Sequence, residues 1–340
     1  MVDSRLNTIF IALLILFSAN GLLAQDIHFS HYRALPLIHN PAFTGGHHDD
    51  YRVGFIYRNQ WSSLGFPFRS SAISYNQKLK LLPQDLGVGL LVITDNSGPT
   101  ELTQTKAMLS TGMHFKMGRS KLGFGVQGGI VFKSIGLDGI TYPSQYDVGT
   151  GGFNSDFNTG ETAVSDQLSF GDFNAGLLFQ SNPKWGSMVL GVAIFHLNTP
   201  NETFVNTTNR LPMRYIFNSR AEIDLGEKTY LLAALYTQVH NEAQEILPSV
   251  GIGFKLKENE MKAEKLYFNT GFRDGFSRNG DSFLVTAGLD FKKLQTFITY
   301  DVTYSNLSEE LRGQGAIEFG LILRGLNYEP ASKILPCDRY

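Results

Sequence analysis

Two histidines followed by two aspartates, His47-His48-Asp49-Asp50, are the first residues whose types could do chemistry. Imidazole nitrogens and carboxylate oxygens are common ligands of divalent transition metals. Adjacent side chains on a strand point to opposite faces, so these four groups would converge only in a turn. The pattern therefore favours a solvated turn ahead of the first strand, and we predict no metal site here.

A second group of oxygen donors lies in the long stretch 134–166, among many glycines. Its members are Asp138, Asp147, Asp156, Asn158 and Glu161. Calcium prefers such oxygen ligands, but the spacing does not follow the D-x-[DN]-x-[DN]-G pattern of a calcium loop. Calcium binding by this stretch stays an open alternative that the spacing does not favour.

The run Gly123-Phe-Gly-Val-Gln-Gly128 matches the G-x-G-x-x-G pattern of dinucleotide-binding proteins. That motif works only where a strand turns into a helix, because the helix N-terminus binds the pyrophosphate. Here the motif lies inside a strand pattern and no helix pattern follows. The glycines are better explained by an inward strand face that needs space.

Nucleophilic catalysis also finds little support. The chain has no G-x-S-x-G motif, and its one cysteine, Cys337, has no histidine near it in sequence. A membrane lipase would need a Ser–His pair on one exposed face, and His196 is the one candidate histidine near a strand end. Asp301 and Glu318 are expected to face an interior and to pair there with Arg324 or lysines. We predict that the protein is not an enzyme and needs no cofactor.

The N-terminus has the features of a secretory signal peptide. Arg5 precedes nine apolar residues, Ile9–Phe17, and small or polar residues follow up to Ala24. Nine apolar residues are too few to span a bilayer as a helix. We expect residues 1–24 to be a cleaved leader.

The amino-acid composition limits the class of protein. The net charge is −2 and no block of like charges occurs, so nothing indicates a nucleic-acid partner. The 35 glycines, 26 phenylalanines and 14 tyrosines, with only 18% charged residues, are typical of a β-rich chain. An exported chain of this kind is either a soluble β protein or a closed barrel in an outer membrane.

Alternation with a period of two marks the strands. In 282–291 one face carries Phe283, Val285, Ala287, Leu289 and Phe291. The other face carries Thr286, Gly288 and Asp290. The same pattern, with Gln127, Lys255, Asp301, Glu318 and Arg324 on the polar face, recurs in 121–133, 246–257, 294–304 and 313–324. An apolar outer face and a polar inner face are typical of a transmembrane barrel.

Fourteen such segments can be counted. They are 51–58, 69–80, 86–94, 102–117, 121–133, 167–180, 185–197, 212–224, 228–240, 246–257, 264–273, 282–292, 294–304 and 313–324. Many are as long as a tilted strand that crosses a bilayer, and the count is even. Even-numbered connections are short almost without exception and odd-numbered ones reach roughly thirty residues, an asymmetry that a soluble sandwich does not require. The sequence therefore predicts an all-β fold, an outer-membrane barrel of about fourteen antiparallel strands over 51–324, with a C-terminal tail at 325–340.

An irregular segment precedes the first strand. Residues 31–46, HYRALPLIHNPAFTGG, contain two prolines and many apolar side chains but no acidic residue. So little charge and so much apolar surface argue against a disordered arm. A fourteen-strand barrel has more internal space than its own side chains fill. We predict that residues 25–50 form a plug in the lumen, in which Asn40, His31 and His39 bond lumen polar groups, or else a segment packed at the periplasmic side.

Several short motifs resemble the PorP/SprF family of type IX secretion system membrane proteins, found in Bacteroidetes. The motifs, in chain order, are F-S-x-x-x-x-x-P-L-x-x-N-P-A-F-T-G at 29–45, Y-R-N-Q-W at 57–61, D-N-S-G at 95–98, H-L-N-T-P at 196–200, L-P-M-R-Y at 211–215, Y-D-V-T-Y-S-N-L at 300–307 and G-A-I-E at 315–318. Two departures are Ile317, where the family often has histidine, and Ile27, where proline is common.

The resemblance implies a non-enzymatic outer-membrane barrel that supports secretion or surface attachment of a cargo protein such as a large gliding adhesin. The implied partners are that secreted protein, other type IX or peptidoglycan-linked periplasmic components, and the lipid bilayer. Candidate motif or contact residues are Asn40, Pro41, Phe43, Arg58, Asn59, Gln60, Trp61, His196, Pro200 and Arg214. For Arg58–Trp61 the alternatives are a rim girdle and a cargo contact. The rival function is a passive channel or a FadL-like uptake barrel.

Overall fold

The computed structural model describes residues 27–62, 67–79, 85–98, 102–136, 143–154, 156–157, 165–205, 208–241, 243–256, 263–275, 281–304 and 314–325. The predicted leader, the residues 326–340 with Cys337, and Asp138, Asn158 and Glu161 lie outside these ranges. Among the residues described, no helix is long and apolar enough to cross a membrane.

Fourteen antiparallel strands close into one barrel, which confirms the predicted fold class. The barrel strands are β1 (Tyr51–Gln60), β2 (Phe68–Leu79), β3 (Asp85–Ser97), β4 (Leu102–Met117), β5 (Ser120–Ser134), β8 (Gln167–Ser181), β9 (Gly186–Phe195), β10 (Arg214–Asp224), β11 (Thr229–His240), β12 (Ala243–Lys255), β13 (Ala263–Arg273), β14 (Ser282–Phe291), β15 (Leu294–Thr303) and β16 (Gln314–Gly325). Strands β6 (Tyr146–Asp147) and β7 (Gly152–Phe153) form a separate hairpin in the connection between β5 and β8.

The barrel closes where the first strand pairs with the last. β1 and β16 are antiparallel from Tyr51↔Gly325 to Gln60↔Ala316, and Arg58 lies opposite Glu318. We call this pairing the seam. Closure satisfies the backbone groups of both terminal strands, which lipid cannot do.

Connection lengths give the barrel two different ends. At the short-turn end, 118–119 joins β4 to β5 and 292–293 joins β14 to β15. At the long-loop end, 135–166 joins β5 to β8 and 196–213 joins β9 to β10. The start of β1 and the end of β16 both lie at the short-turn end. The longest connections thus lie at one end, as predicted, but the same end also has the two-residue connection 241–242 between β11 and β12.

The outer surface is the apolar face of the alternating pattern. Side chains such as Phe283, Val285, Ile298 and Val302 are exposed, whereas Thr286, Thr299 and Asp301 on the same strands are buried. This arrangement matches the predicted inside and outside assignment. The barrel is an outer-membrane barrel, and its exposed apolar band faces lipid.

The inner face is less polar than the alternation predicts. Ile56, Leu91, Leu178, Phe297 and Ile322 all point inward and are buried. The inner face therefore carries buried apolar side chains beside the polar ones that the alternation predicts. The reason is that these side chains contact an apolar segment inside the barrel instead of water.

The inside and outside assignment can be tested by placing a cation on the lipid face. Ile298→Arg should impair assembly, because Ile298 is exposed at the middle of β15 and a cation at mid-bilayer costs roughly 2–4 kcal/mol. The inward change Asp290→Asn on the adjacent strand β14 should leave assembly intact, since it removes a charge from the interior only. The folded fraction in isolated membranes, read from heat-dependent electrophoretic mobility, measures both. Normal assembly of Ile298→Arg would contradict the assignment.

Candidate functional site: the barrel interior

Residues 27–46 lie inside the barrel. Their backbone forms two short 3-10 helices, Pro36–Ile38 and Pro41–Phe43, each with proline in its first turn, where a missing N–H costs nothing. The Asn40 side chain caps the second helix, because its Oδ1 accepts a hydrogen bond of 2.9 Å from the Ala42 amide. The prolines and the asparagine thus give a short charge-poor segment a fixed shape. We call residues 27–46 the inner segment.

An apolar contact holds the inner segment at mid-height. Leu35, Leu37, Ile38 and Phe43 are buried in one cluster with inward side chains of the wall. The wall members include Ile56, Leu91, Met108, Leu178, Val189, Leu232 and Ile322. The hydrophobic effect therefore favours an occupied interior over a water-filled one.

Glycines on the wall make room for this packing. A Cβ atom on Gly125 would lie 2.4 Å from the Ala42 amide nitrogen, and one on Gly112 would lie 2.3 Å from the Thr44 carbonyl oxygen. Gly45 has a φ of +74° and would meet Gly87 at 2.7 Å. The first glycine of the dinucleotide-like run, Gly123, also faces the interior, beside His114. The run is a close-packed strand surface.

Polar side chains of the wall then fix the register of the inner segment. Asn40 Nδ2 donates to the Leu177 and Val192 carbonyls at 3.0 and 3.3 Å. The Gly45 amide donates to Asn76 Oδ1 at 2.8 Å, and Gln127 Nε2 donates to the Leu37 carbonyl at 3.3 Å. The inner segment thus replaces water as the partner of inward polar groups, on several strands at once.

Four charged side chains of the wall form an ion cluster beside the seam. Arg58 Nη1 lies 2.9 Å from Asp301 Oδ2 and 2.6 Å from Glu318 Oε1. Arg273 Nη2 lies 3.2 Å from the same Asp301 oxygen. Arg58 is 1% exposed and Glu318 is 0% exposed. We call Arg58, Arg273, Asp301 and Glu318 the seam cluster.

The inner segment completes the seam cluster. The Ser30 and His31 amides donate to the two Glu318 oxygens at 2.6 and 2.9 Å. Ser30 Oγ donates to Asp301 Oδ2 at 2.6 Å and accepts from Arg58 Nη1 at 2.7 Å. Buried ions are stable only when their remaining donors and acceptors are satisfied. The segment therefore supplies hydrogen bonds that the wall lacks.

This geometry corrects two expectations. Arg58 is not a rim residue, because it points into the interior and also donates to Gln60 Oε1 at 3.0 Å. Asp301 and Glu318 pair with Arg58 and Arg273, not with Arg324. Arg324 instead lines the interior at the short-turn end.

A second polar group lies toward the long-loop end. His196 has a φ of +60°, and its Nδ1 lies 2.9 Å from Asp172 Oδ1. Its amide donates to Asn174 Oδ1 at 3.0 Å, and Asn174 in turn donates to Gln127 at 3.0 Å. His196 and Asp172 are 0% and 1% exposed, so they are not on the exposed face that a lipase needs.

The other predicted residues do not converge on one site. Trp61 has a φ of +54° and contacts Phe68 edge to face at 5.1 Å, and Asn59 is half-buried beside it. Arg214 lies 4.6 Å from the centre of the Phe195 ring. The Pro200 carbonyl accepts from the Leu211 amide at 2.9 Å.

The remaining lumen candidates are at the short-turn end. Lys255 forms an ion pair of 2.7 Å with Asp224. Asp290 is buried and faces the interior.

Sequence reasoning missed several interior residues. They are Ser30, Asn76, His114, Asp172, Asn174, Asn218 and Arg273, and all are buried. For those on strands, the parity of the alternation already placed them inward. The alternation did not show which residue each of these side chains contacts.

Of the residues considered for metal binding, His47–Asp50, Asp147 and Asp156 lie in the described ranges. Within the described ranges, no three or more histidine, cysteine, aspartate or glutamate residues form a group that could hold a metal. His47 precedes β1, and burial lowers its pKa to about 4. Asp147 accepts hydrogen bonds from the Gly149 amide and the Thr150 hydroxyl at 2.8 and 2.9 Å, which lower its carboxyl pKa.

Several solved structures are similar to this chain at low sequence identity. CdiB from Escherichia coli is 9% identical with a TM-score of 0.48 over 80% of this chain, which spans 62% of CdiB's length. The CymD monoaromatic hydrocarbon channel is 9% identical with a TM-score of 0.49, covering 87% of this chain and 94% of that one. The Pseudomonas putida toluene transporter TodX is 12% identical with a TM-score of 0.46, covering 89% and 98%.

No curated protein sequence matches the chain significantly. A family model does, over residues 22–322, which includes the inner segment and nearly all of the barrel. Its description is "Type IX secretion system membrane protein PorP/SprF". The match confirms the family that the short motifs indicate. The chain belongs to the PorP/SprF family of type IX secretion system membrane proteins.

Proposed function

We propose that this protein is a closed, non-enzymatic barrel that supports secretion or surface attachment of a cargo protein, such as a large adhesin used in gliding. Short turns of outer-membrane barrels face the periplasm, so the short-turn end would face periplasmic or peptidoglycan-linked components. The long-loop end would then face the cargo at the cell surface. In this proposal residues 1–24 direct export in a Bacteroidetes cell.

The observation that carries the proposal is the occupied interior. The inner segment packs against the wall with Leu35 and Leu37, and its Asn40 bonds the backbone of two strands. Its amides at Ser30 and His31 complete the seam cluster. A barrel whose lumen is filled in this way is suited to holding partners at its two ends rather than to passing solutes.

The rival function is a passive channel or a FadL-like uptake barrel. It would require the inner segment to leave the lumen, which would break the apolar contact and leave Glu318 without two of its hydrogen bonds. Two readouts separate the functions, namely conductance of the purified barrel and surface display of the cargo. A plug and a periplasmic docking segment differ in the same readouts.

Deleting residues 27–44 while keeping the leader should give a barrel that still inserts but conducts ions. The full chain should be silent in planar bilayers, because its lumen is filled. Steady conductance of the full chain would favour the channel. Unchanged permeability of the deletion variant, together with loss of cargo display, would show that the segment is a docking site and not a plug.

Arg58→Gln should strongly destabilise the arrangement in which the inner segment is bound inside the barrel, which we call the docked state. Among the described residues, the change leaves the buried Glu318 without an ion-pair partner and leaves Asp301 with Arg273 alone. Breaking such a network costs roughly 3–5 kcal/mol. Arg69→Gln is the matched control, since Arg69 is exposed on the neighbouring strand. The midpoint of urea unfolding should fall for the first variant only. Equal midpoints for the two variants would show that the seam cluster does not stabilise the protein.

Docking should also weaken in acid. Burial first, and then repulsion from Arg214, lowers the pKa of His39 to about 3. The ring is buried between Tyr32 and Tyr236, with ring centres 5.8 and 4.9 Å away, and burial of the ring favours the neutral imidazole in the docked segment. Because the free histidine titrates near pH 6.5, the contribution of this group is complete above that pH. It is lost at about 1.4 kcal/mol per pH unit on the way down to the docked value.

Conductance of the full chain should therefore rise as the pH falls from 6.5 toward 4. His39→Phe keeps the ring and removes the titration, so its acid response should be smaller. An identical response in the variant would assign the acid effect to other groups.

A further inference from the structure

Between the inner segment and the short-turn end, the interior widens into a cavity of about 620 Å³. The inner segment closes one side of it with His31, Arg33 and Ala34, and the turn at 118–120 borders the other. Inward residues of several strands form the walls. The volume lies within the range of small-molecule binding sites.

The lining of this cavity is strongly cationic. Arginines and lysines outnumber carboxylates eight to three among the residues that line it. One of the three carboxylates, Glu222, is already paired with Lys265 at 2.9 Å. The protein as a whole has a net charge of −2, so the positive charge is a local property of this cavity.

Of the five arginines that line this space, four come from the inner segment and three different strands, and the fifth, Arg119, lies in the turn between β4 and β5. The four are Arg33 in the inner segment, Arg52 in β1, Arg220 in β10 and Arg324 in β16. Arg52 is repelled by Arg220 and Arg324 and more weakly attracted by Asp49 and Asp290. Arg220 is repelled by Arg33 and more weakly attracted by Glu222. Among the described residues, no carboxylate oxygen lies within 4.0 Å of any of the four.

The other contacts of these groups leave most of their donors unused. Arg52 Nη2 donates to the Ala34 carbonyl at 2.9 Å, and Arg324 Nη2 donates to the Phe291 carbonyl at 3.4 Å. The Arg220 guanidinium lies 5.7 Å from the Phe43 ring centre. At the seam cluster, by contrast, both arginines are ion-paired. Among the described residues, the interior therefore ion-pairs its arginines at the seam cluster and leaves four arginines without an ion pair toward the short-turn end.

The rest of the lining identifies the kind of ligand. Guanidinium groups bind carboxylate and phosphate oxygens with two parallel hydrogen bonds. The walls also include Tyr230, Leu232, Tyr267 and Ile322, which suit an apolar body rather than a bare inorganic ion. We propose that this cavity binds an organic polyanion, with two or more carboxylate or phosphate groups on an apolar body, entering from the short-turn end.

Such a ligand would join the inner segment to the wall. Arg33 and the Ala34 carbonyl belong to the segment, whereas Arg52, Arg220 and Arg324 belong to the strands of the seam and of the opposite side. A ligand that binds the docked state stabilises that state by mass action. The proposal does not depend on the cargo role, because it rests on the cavity alone.

Isothermal titration of the full chain in detergent, at pH 7.5 and low salt, tests the proposal. The probes are benzene-1,3,5-tricarboxylate and inorganic pyrophosphate. We expect the tricarboxylate to bind, and to bind more tightly than pyrophosphate. In the double variant Arg52→Gln, Arg220→Gln its affinity should fall about tenfold or more, since two charge-assisted hydrogen-bond donors are lost.

Lys255→Gln is the matched control, because Lys255 is a cation at the same end that pairs with Asp224 and does not line the cavity. Its affinity should equal that of the unaltered chain. Arg220→Lys, which keeps the charge but not the paired donors, should also bind more weakly and serves if the double variant does not fold.

Three results would overturn the proposal. Absence of binding by both probes would remove the site. An equal loss in Lys255→Gln would reduce the effect to general electrostatics. Pyrophosphate binding as tightly as the tricarboxylate would contradict the organic body of the ligand.

Discussion

The structure depends on one geometric constraint, the width of a ring of fourteen strands. Lipid forces the strands to close, because no edge can keep unpaired backbone groups in hydrocarbon. Once closed, fourteen strands enclose more space than their own side chains fill. The inner segment, the inward glycines such as Gly112 and Gly125, and the buried apolar wall residues are the response to that space. The cationic cavity is the part of the space that the segment does not occupy.

The seam cluster shows how wall and filling depend on each other. Arg58 and Glu318 are opposed across the seam, and their pairing would be worth little if the remaining carboxylate oxygens were bare. The Ser30 and His31 amides supply those contacts. Arg33 is the one arginine, lysine or carboxylate side chain of the inner segment, and the segment binds the wall both through backbone groups and through the Ser30 and Asn40 side chains. This explains why a charge-poor, proline-containing sequence suits the position.

Much of the fold could be predicted from the sequence, and the reason is periodicity. A period of two records which face of a strand meets lipid, so the strand count, the end asymmetry and the inward positions of Asp301 and Glu318 could all be inferred. Pairing partners could not. Alternation places Arg58 and Arg324 on the inner face but does not show how far along the barrel axis each one lies. The pairing register of β1 and β16 shows that Arg58 lies opposite Glu318. Likewise Ile56 and Ile322 read as exceptions to a polar interior until the segment that covers them is seen.

The seam has a consequence for how the molecule assembles. The contacts that join Ser30 and His31 to Glu318 span 288 and 287 residues, and the pair of Arg58 and Glu318 spans 260. Contacts with such long separations form late, because the chain between them must first be ordered. Glu318 lies on the last strand, so its pair with Arg58 forms only when the ring is closed, and its bonds to Ser30 and His31 form only when the inner segment is in place. Glu318 is therefore the residue that reports whether both events have happened.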